Sequence, residues 1–275
     1  MYNRFPVFIP TKGRYKRPYT IRALEDLGIF YYAVVEPHEY DLYKEIVNNG
    51  EILITPHKDK GLTVTRNWIW DYAQNSLKAE WFWTFDDNIR GFVALNNNIK
   101  YRILTNNFLY MIEDFIMRYS NILIGGMNYD YFVPRKNHVP PFIFNTRVYS
   151  NMFIKAGCGY RNVTFYNDDT DLCLRILKDG YCTILFNAFL AKKISTQIVA
   201  GGMTDYYKKT NKRLEFAREL QVAHPDVTKV VWKYNRWHHS IDYRKFRGNR
   251  PIRKEDAPEK IAEKYSFIYH GGDNV

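Results

Sequence analysis

The sequence has few cysteines and no long apolar run. Among its 275 residues only Cys158, Cys173 and Cys182 are cysteine, and no two of them form a CxxC pair. An odd number of scattered cysteines indicates neither a disulfide framework nor a thiolate zinc site, so we expect buried thiols. The apolar runs are far shorter than the roughly 20 residues of a membrane-spanning helix. Residues 1–4 also lack the apolar stretch of a signal peptide. We therefore expect a soluble, cytoplasmic protein with no membrane partner.

Acidic residues are scarce in one part of the chain. The net charge is +11, and residues 192–254 contain 16 Lys and Arg against 5 Asp and Glu, whereas the remainder carries 24 of each. Aromatic side chains lie among these cations: Tyr206, Tyr207, Trp232, Tyr234, Trp237, Tyr243 and Phe246. This mixture suits phosphate contacts and base stacking and favours a nucleic-acid partner. A solvated basic face is the alternative.

The first 90 residues alternate between short apolar strands and amphipathic helices. Strands are predicted at residues 5–10, 29–35, 52–55 and 81–85, and helices at 18–27, 38–48 and 63–74. Because such alternation is typical of a parallel sheet, it predicts an α/β fold. A further helix is expected within 101–119 and a fifth strand from Ile122.

Two groups of acids interrupt this pattern. Asp86, Asp87 and Asn88 directly follow the aromatic strand at 81–85, where a sheet of this class binds its ligands. Oxygen ligands at that position suit a divalent cation that holds a diphosphate, although an Asx turn would use the same residues. Asp168, Asp169 and Asp171 begin a later helix. Capping explains one or two of these acids but does not require three in four residues.

The order of these motifs resembles a known family. It comprises Pro-Thr-Lys-Gly-Arg after the first strand, Val-Glu-Pro after the second, then Lys60-Gly61, Arg66-Asn67, Asp86-Asp87-Asn88 and Asn167-Asp168-Asp169-Thr170-Asp171. Over about residues 5–205 this order resembles GT-A glycosyltransferases, and more narrowly the TET-associated glycosyltransferases of phages, which are thought to add sugars to hydroxymethylated bases in DNA. The resemblance implies a GT-A-type domain with a mainly parallel, Rossmann-like sheet and helices on both faces.

The resemblance also implies a donor site. The donor would be a nucleotide sugar, expected to be UDP-linked, with a divalent Mn or Mg ion. Asp87 and Asn88 would bind the metal; Asn88 departs from the family, which often has an Asp there, and its amide is a weaker ligand. The remaining donor contacts would come from Thr11, Arg14, Glu36, Lys60, Gly61, Arg66, Asn67, Asp86, Gly201 and Gly202.

The later acids would supply the general base. Asp169 would deprotonate the acceptor hydroxyl, and Asp168 would support sugar or acceptor binding. Many GT-A enzymes use a histidine after this helix as a metal ligand. No histidine lies between Lys192 and Gly202, so the remaining metal ligand is unassigned, and water or one of four later histidines would have to serve: His224, His238, His239 or His270.

The acceptor is expected to be double-stranded DNA that carries hydroxymethylated pyrimidines, in a host cytoplasm if the chain is phage-encoded. Residues 1–205 would form the catalytic domain, and 206–275 a basic extension packed on it. A long basic helix is predicted at 204–223. The DNA contacts are assigned to Lys208, Lys209, Lys212, Arg213, Trp237, Arg244, Lys245 and Arg247. Two alternatives stay open: a GT-A transferase with a polysaccharide or protein acceptor, and a nucleic-acid-binding protein without catalysis.

Overall fold

The structure is a computed structural model and describes residues 3–134, 139–194, 212–258 and 269–270. Its helices are α1 (Tyr19–Glu25), α2 (Tyr40–Lys44), α3 (Leu62–Asp71), α4 (Asn107–Met117), α5 (Asp168–Lys178) and α6 (Lys212–Ala223). A 3-10 turn at Pro37–Glu39 precedes α2, a π-helical turn at Tyr72–Ser76 extends α3, and a second 3-10 turn spans Tyr243–Phe246.

Thirteen strands are described. They are β1 (Val7–Pro10), β2 (Tyr31–Val35), β3 (Gly50–Ile54), β4 (Trp81–Phe85), β5 (Ile89–Asn96), β6 (Ile99–Ile103), β7 (Ile122–Tyr129), β8 (Phe142–Phe144), β9 (Asn151–Lys155), β10 (Cys182–Lys193), β11 (Thr228–Lys233), β12 (Arg236–Ile241) and β13 (Tyr269–His270). Eleven of them form one sheet in the order β13-β6-β5-β10-β7-β9-β4-β1-β2-β3, with β8 beside β10, and β11 and β12 form a separate hairpin.

Most strands of the central sheet run in one direction. These are β1 to β4, β6, β7 and β10, whereas β5, β8, β9 and β13 run the opposite way. The carboxyl ends of β1, β2, β4, β7 and β10 therefore meet at one edge of the sheet. The predicted α/β architecture is confirmed, and this edge is where such a sheet binds its ligands.

Apolar side chains cover both faces of the sheet. Along β1, Val7 and Ile9 belong to one core cluster, while Phe8 belongs to another on the opposite face. Residues of α1, α2 and α4 pack in the first cluster, and residues of α3 and α5 in the second. Side chains alternate between the two faces along a strand, so the two clusters lie on opposite faces of the sheet. Helices therefore cover both faces, as predicted.

The aromatic strand β4 anchors this arrangement, since all five of its residues are buried. Trp81 stacks on Phe153 of the neighbouring strand with ring centroids 4.8 Å apart. The indole nitrogen of Trp83 donates a 2.8 Å hydrogen bond to Glu113 of α4. The end of β4, and with it Asp86, is thereby anchored in the buried core.

The C-terminal segment packs on α5. Leu174 and Leu177 of α5 form a small buried cluster with Leu220, Val227 and Phe246. Beside it, His224 Nε2 lies 2.9 Å from Asp171 Oδ1, so Asp171 serves this contact and does not face the cleft. The predicted boundary at 205 lies outside the described residues, so the division into a catalytic domain and a basic extension stays a prediction.

Some predicted elements differ in length. The helix predicted at 38–48 is a 3-10 turn followed by α2, which ends at Lys44. Of the helix predicted at 204–223, the described part is α6, from Lys212 to Ala223. Cys173 and Cys182 are buried thiols, whereas Cys158 is only partly buried. Within the described ranges, no helix is both long and apolar enough to cross a membrane.

Candidate active site

A cleft of about 710 Å³ opens at the carboxyl edge of the sheet. Its walls come from the ends of β1, β2, β4, β7 and β10 and from the starts of α3 and α5. Ten residues predicted from the sequence line it: Thr11, Arg14, Glu36, Gly61, Arg66, Asp86, Asp87, Asn88, Asp168 and Asp169. The two acidic groups, about 80 residues apart in sequence, therefore share one cleft.

Arg66 joins these two groups. Its Nη2 donates a 2.8 Å hydrogen bond to Asp86 Oδ1, and its Nη1 donates a 2.6 Å hydrogen bond to Asp168 Oδ2. The guanidinium is buried, and Arg66 extends from α3 into the lining of the cleft. Burial alone would lower the pKa of Arg66, but the charges of Asp168 and Asp86 outweigh it and raise that pKa. The site thus holds a permanent cation between two carboxylates.

Asp86 has a second cation on its other oxygen. Lys193, the last residue of β10, places Nζ 2.8 Å from Asp86 Oδ2 and 3.1 Å from the hydroxyl of Tyr129, and it also contacts Ser150 Oγ. Burial alone would raise the pKa of Asp86, but the charges of Lys193 and Arg66 hold it below its usual range. Asp86 is therefore ionised and doubly paired.

Asp87 faces the end of β1. The hydroxyl of Thr11 donates a 3.2 Å hydrogen bond to Asp87 Oδ2, and Arg14 Nε lies 3.2 Å from Oδ1. Burial raises the pKa of Asp87 to about 6, with the charge of Arg14 opposing the shift and that of Asp86 adding to it. Tyr43 supports this corner through its hydroxyl, which lies 2.7 Å from the hydroxyl of Thr11.

Glu36 lies at the far end of the cleft, after β2. It accepts a 2.8 Å hydrogen bond from Lys12 Nζ and hydrogen bonds of 3.1 and 3.2 Å from the backbone N–H of Asp59. Across the cleft, Gly61 precedes α3 with φ at 90°, and a Cβ there would lie 2.6 Å from the ring of Phe165. The glycine is required both by its backbone conformation and by this close approach.

The acids of α5 differ in their surroundings. Asp168 is buried, and although its pairing with Arg66 opposes the shift, burial and the charge of Asp169 raise its pKa. Asp169 is only partly buried, and its Oδ1 accepts hydrogen bonds from the backbone N–H and the hydroxyl of Thr170. Within the described part of the chain, Asp169 Oδ2 accepts no hydrogen bond and so is available to an incoming hydroxyl.

Arg147, which the sequence analysis missed, borders Asp169. Its Nη1 donates a 3.2 Å hydrogen bond to the hydroxyl of Thr170 and lies 3.1 Å from His239 Nε2 of β12. Its guanidinium also stacks 4.1 Å from the ring centroid of Tyr149. Burial alone would lower the pKa of Arg147, but the charge of Asp169 raises it. Through His239, the hairpin β11–β12 reaches the rim of the cleft.

Two predicted donor residues lie outside the cleft lining. Lys60 is exposed and does not line the cleft. Asn67 uses its side-chain amide to bind the backbone of Asn162, donating at 2.8 Å and accepting at 2.9 Å. Its contacts fix the segment before α5. Gly201 and Gly202 lie outside the described residues.

The predicted DNA-contacting residues are spread over the C-terminal segment. Lys212 and Arg213 begin α6, and Trp237 packs edge-on against Trp232, whose side chain is 55% exposed. Arg244, Lys245 and Arg247 are exposed; Arg244 pairs with Asp242, and Lys245 donates to the carbonyl of Asp226. Lys208 and Lys209 lie outside the described residues.

The donor set at β4 does not fit the predicted Mn or Mg site. Both oxygens of Asp86 are engaged by cations, and Asp87 is shared between Arg14 and Thr11. Asn88 Oδ1 is buried and, in the described ranges, lacks a hydrogen-bond partner, but one amide oxygen is a weak ligand. Nor do these ranges contain a cluster of three His, Cys, Asp or Glu side chains that could hold a metal ion. The metal ligands predicted at Asp87 and Asn88 are thus not supported by the contacts found there.

Comparisons with known proteins bear on the class of enzyme. Among solved structures, the protein is similar to residues 1–349 of TarS from S. aureus, with 11% identity, a TM-score of 0.44, and coverage of 80% of this chain and 65% of that one. It is also similar to mannose-6-phosphate isomerase from Helicobacter pylori, with 10% identity, a TM-score of 0.25, and coverage of 92% and 95%. Both scores are too low to support an argument. Curated protein sequences contain no match.

An α/β fold with paired acids and fixed cations at the carboxyl edge of its sheet defines a cleft suited to group transfer from a charged donor. A family model described as TET-associated glycosyltransferase matches residues 5–202. This match covers most of the chain, so the chain belongs to that family.

Proposed function

We propose that this enzyme transfers a sugar from a nucleoside diphosphate sugar, a UDP-sugar, to a hydroxymethylated pyrimidine in double-stranded DNA. The observation that carries the proposal is the bridge that Arg66 makes between Asp86 and Asp168. It sets a fixed positive charge beside Asp169. A donor diphosphate bound at that charge would bring its sugar to the carboxylate that receives the acceptor's proton.

The donor would lie along the edge of the sheet. Glu36 and Thr11 offer oxygens to the ribose or base, and Arg14 lies beside them at the end of β1. Arg66 and Lys193, which hold the two oxygens of Asp86, also line the cleft and would bind the diphosphate. In this proposal the nucleoside, diphosphate and sugar would follow one another from β2 toward α5. The uridine identity of the donor rests on the family resemblance.

The transfer itself requires one base and a stabilised leaving group. The acceptor hydroxyl would attack the anomeric carbon of the sugar while its proton passes to Asp169 Oδ2. The bond between the anomeric carbon and the diphosphate oxygen breaks, and the diphosphate leaves with that electron pair. Arg66 and Lys193 would stabilise the negative charge that develops on the diphosphate. The geometric requirement is a hydroxyl within hydrogen-bond reach of Asp169.

The hairpin β11–β12 supports a nucleic-acid acceptor. Residues opposite each other in an antiparallel pair share a face, so Lys233 and Arg236 lie on one face with Lys229, which is four residues before Lys233. All three are exposed. On the opposite face, His239 contacts Arg147 at the cleft. A duplex held by the basic face would therefore lie across the hairpin from this contact with the cleft.

Aromatic side chains at the cleft mouth suit a planar acceptor. Tyr131 and Phe132 line the cleft and are 51% and 52% exposed. A base stacked on them would be out of the helix, as enzymes that act on a base require when the duplex blocks access. This arrangement favours DNA over a polysaccharide or protein acceptor.

The test is a transfer assay with matched DNA substrates. The protein is incubated with a panel of nucleotide sugars and one duplex sequence made with cytosine, hydroxymethylcytosine or hydroxymethyluracil, and the nucleosides are weighed by mass spectrometry. We expect a mass increase of one sugar only on a hydroxymethylated base and only with one class of donor. Hydrolysis of the donor without any sugar added to the DNA would contradict the assigned acceptor, while still supporting the use of a nucleotide-sugar donor.

A further inference from the structure

We propose that Lys193, together with Arg66, takes the place of a divalent cation in this cleft, so that donor binding and sugar transfer need no metal. The inference rests on the proposed function, because it concerns the diphosphate of the same donor. It assigns a role to a residue that the donor-site motifs do not include.

The position of Lys193 carries the first step. The β10 strand delivers its ammonium group to Asp86, the first acid after β4, at 2.8 Å. Arg66 holds the other oxygen of Asp86 at the same distance. Two permanent cations thus flank Asp86, the acid that directly precedes the predicted metal ligands Asp87 and Asn88. The Lys193 side chain is only 9% exposed, so solvent screens its charge weakly.

The same contacts disfavour a metal. A divalent ion on Asp86 would have to displace Lys193 or Arg66, or lie against one of them with little solvent between the charges. Asp87 already pairs with Arg14, and Asn88 offers only an amide oxygen. A hard cation prefers several anionic oxygens, which this arrangement does not leave open.

Lys193 can still reach a phosphate. Of its three oxygen contacts, the hydroxyl of Tyr129 is neutral and, at 3.1 Å, is longer than the bond to Asp86. A phosphate oxygen is a stronger acceptor and would replace that hydroxyl without breaking the ion pair. During transfer the diphosphate leaves with the electron pair of its bond to the anomeric carbon. Lys193 keeps its proton, and the acceptor's proton goes to Asp169.

The experiment measures binding before activity. Calorimetric titrations of UDP, GDP, CDP, ADP and dTDP are run in EDTA and in excess Mn²⁺, and the nucleotide that binds is compared with its monophosphate and nucleoside. Lys193→Met keeps the length of the side chain and removes its charge, and Lys192→Met is the matched control. Thermal unfolding checks that each variant is folded.

We expect the wild-type protein to bind a nucleoside diphosphate with the same Kd in EDTA and in Mn²⁺, within about twofold. Loss of one charge-assisted contact should weaken diphosphate binding by roughly ten- to a hundredfold in Lys193→Met while leaving nucleoside binding unchanged. Lys192→Met should behave as the wild type. Sugar transfer by the wild-type protein should persist in EDTA.

Three results would overturn the inference. The first is diphosphate binding that appears only with Mn²⁺, which would restore a metal site and leave the proposed function standing. The second is a folded Lys193→Met variant with unchanged diphosphate affinity. The third is failure of every nucleoside diphosphate to bind in either buffer, which would contradict the proposed function as well. The wild-type comparison decides the matter even if Lys193→Met does not fold.

Discussion

Arg66 offers the sharpest test of how the site is built. Among the described residues it is the one cation that hydrogen-bonds to Asp168, and it also holds Asp86. In Arg66→Ala, Asp86 keeps Lys193, but Asp168 is left buried without a cation from the described part of the chain. Removing one partner of a buried ion pair typically costs about 3–5 kcal/mol. For a domain of this size that corresponds to a decrease in Tm of roughly 6–20 °C.

The lysine variant separates charge from geometry. Arg66→Lys keeps the positive charge, but an ammonium group cannot span two carboxylates as a planar guanidinium does. Loss of one charge-assisted hydrogen bond should cost about 1.5–3 kcal/mol. We therefore expect the free energy of unfolding to rank as wild type, then Arg66→Lys, then Arg66→Ala, with sugar transfer following the same order.

Urea denaturation followed by tryptophan fluorescence measures these differences. The control is Arg102→Ala, because Arg102 pairs with Asp26 at 3.5 Å with both side chains more than 60% exposed. Such a pair is worth less than about 1 kcal/mol. If Arg66→Ala were no less stable than Arg102→Ala, the buried bridge between the two acids would be refuted.

Two further predictions concern the core and the hairpin. Burial raises the pKa of Glu113 to about 7, although its hydrogen bond from Trp83 opposes the shift. The neutral carboxyl group therefore contributes to the free energy of unfolding at low pH, and this contribution is lost as the pH rises from about 4.5 through 7. Glu113→Gln should then gain up to about 3 kcal/mol of stability over wild type at pH 9 relative to pH 5; equal differences at both pH values, measured by urea denaturation, would contradict this. Replacing Lys229, Lys233 and Arg236 by Gln should reduce the slope of log K for DNA binding against log salt by about 2–3. An unchanged slope would place the duplex elsewhere.

Much of the donor half of the fold follows from local pattern. The strand at 81–85 is apolar throughout and ends where polar residues begin, so both its class and its end were predictable. The helix after Lys60-Gly61 was likewise indicated by its apolar spacing. By contrast, β5 and β6 were missed. They pair with each other through a turn at Asn97 and Asn98, both with positive φ, and β5 carries Gly91 within it. Such a strand has little local signal, and pairing with β10 determines it.

The missing part of the site depends on tertiary contacts. Lys193 lies 107 residues from Asp86 in sequence, and nothing local distinguishes it from the basic residues that follow. It reaches Asp86 because β10 runs parallel to β7 and ends at the same edge. Arg147 was missed for the same reason. Asn67 shows the opposite error, since its place beside Arg66 indicated a donor contact, whereas one residue along a helix rotates the side chain away from the cleft.

In the proposed reaction Asp169 removes the acceptor's proton. Asp169→Asn keeps the shape of the side chain, and its amide oxygen can still accept the hydrogen bonds from Thr170. The matched control is Asp179→Asn, at the C-terminal end of α5. The decisive measurement is single-turnover sugar transfer to hydroxymethylated DNA, with donor affinity measured on the same samples. We predict a loss of at least about a hundredfold in the transfer rate for Asp169→Asn, with donor Kd within about threefold of wild type. Transfer by Asp169→Asn at a rate comparable to Asp179→Asn would contradict the account.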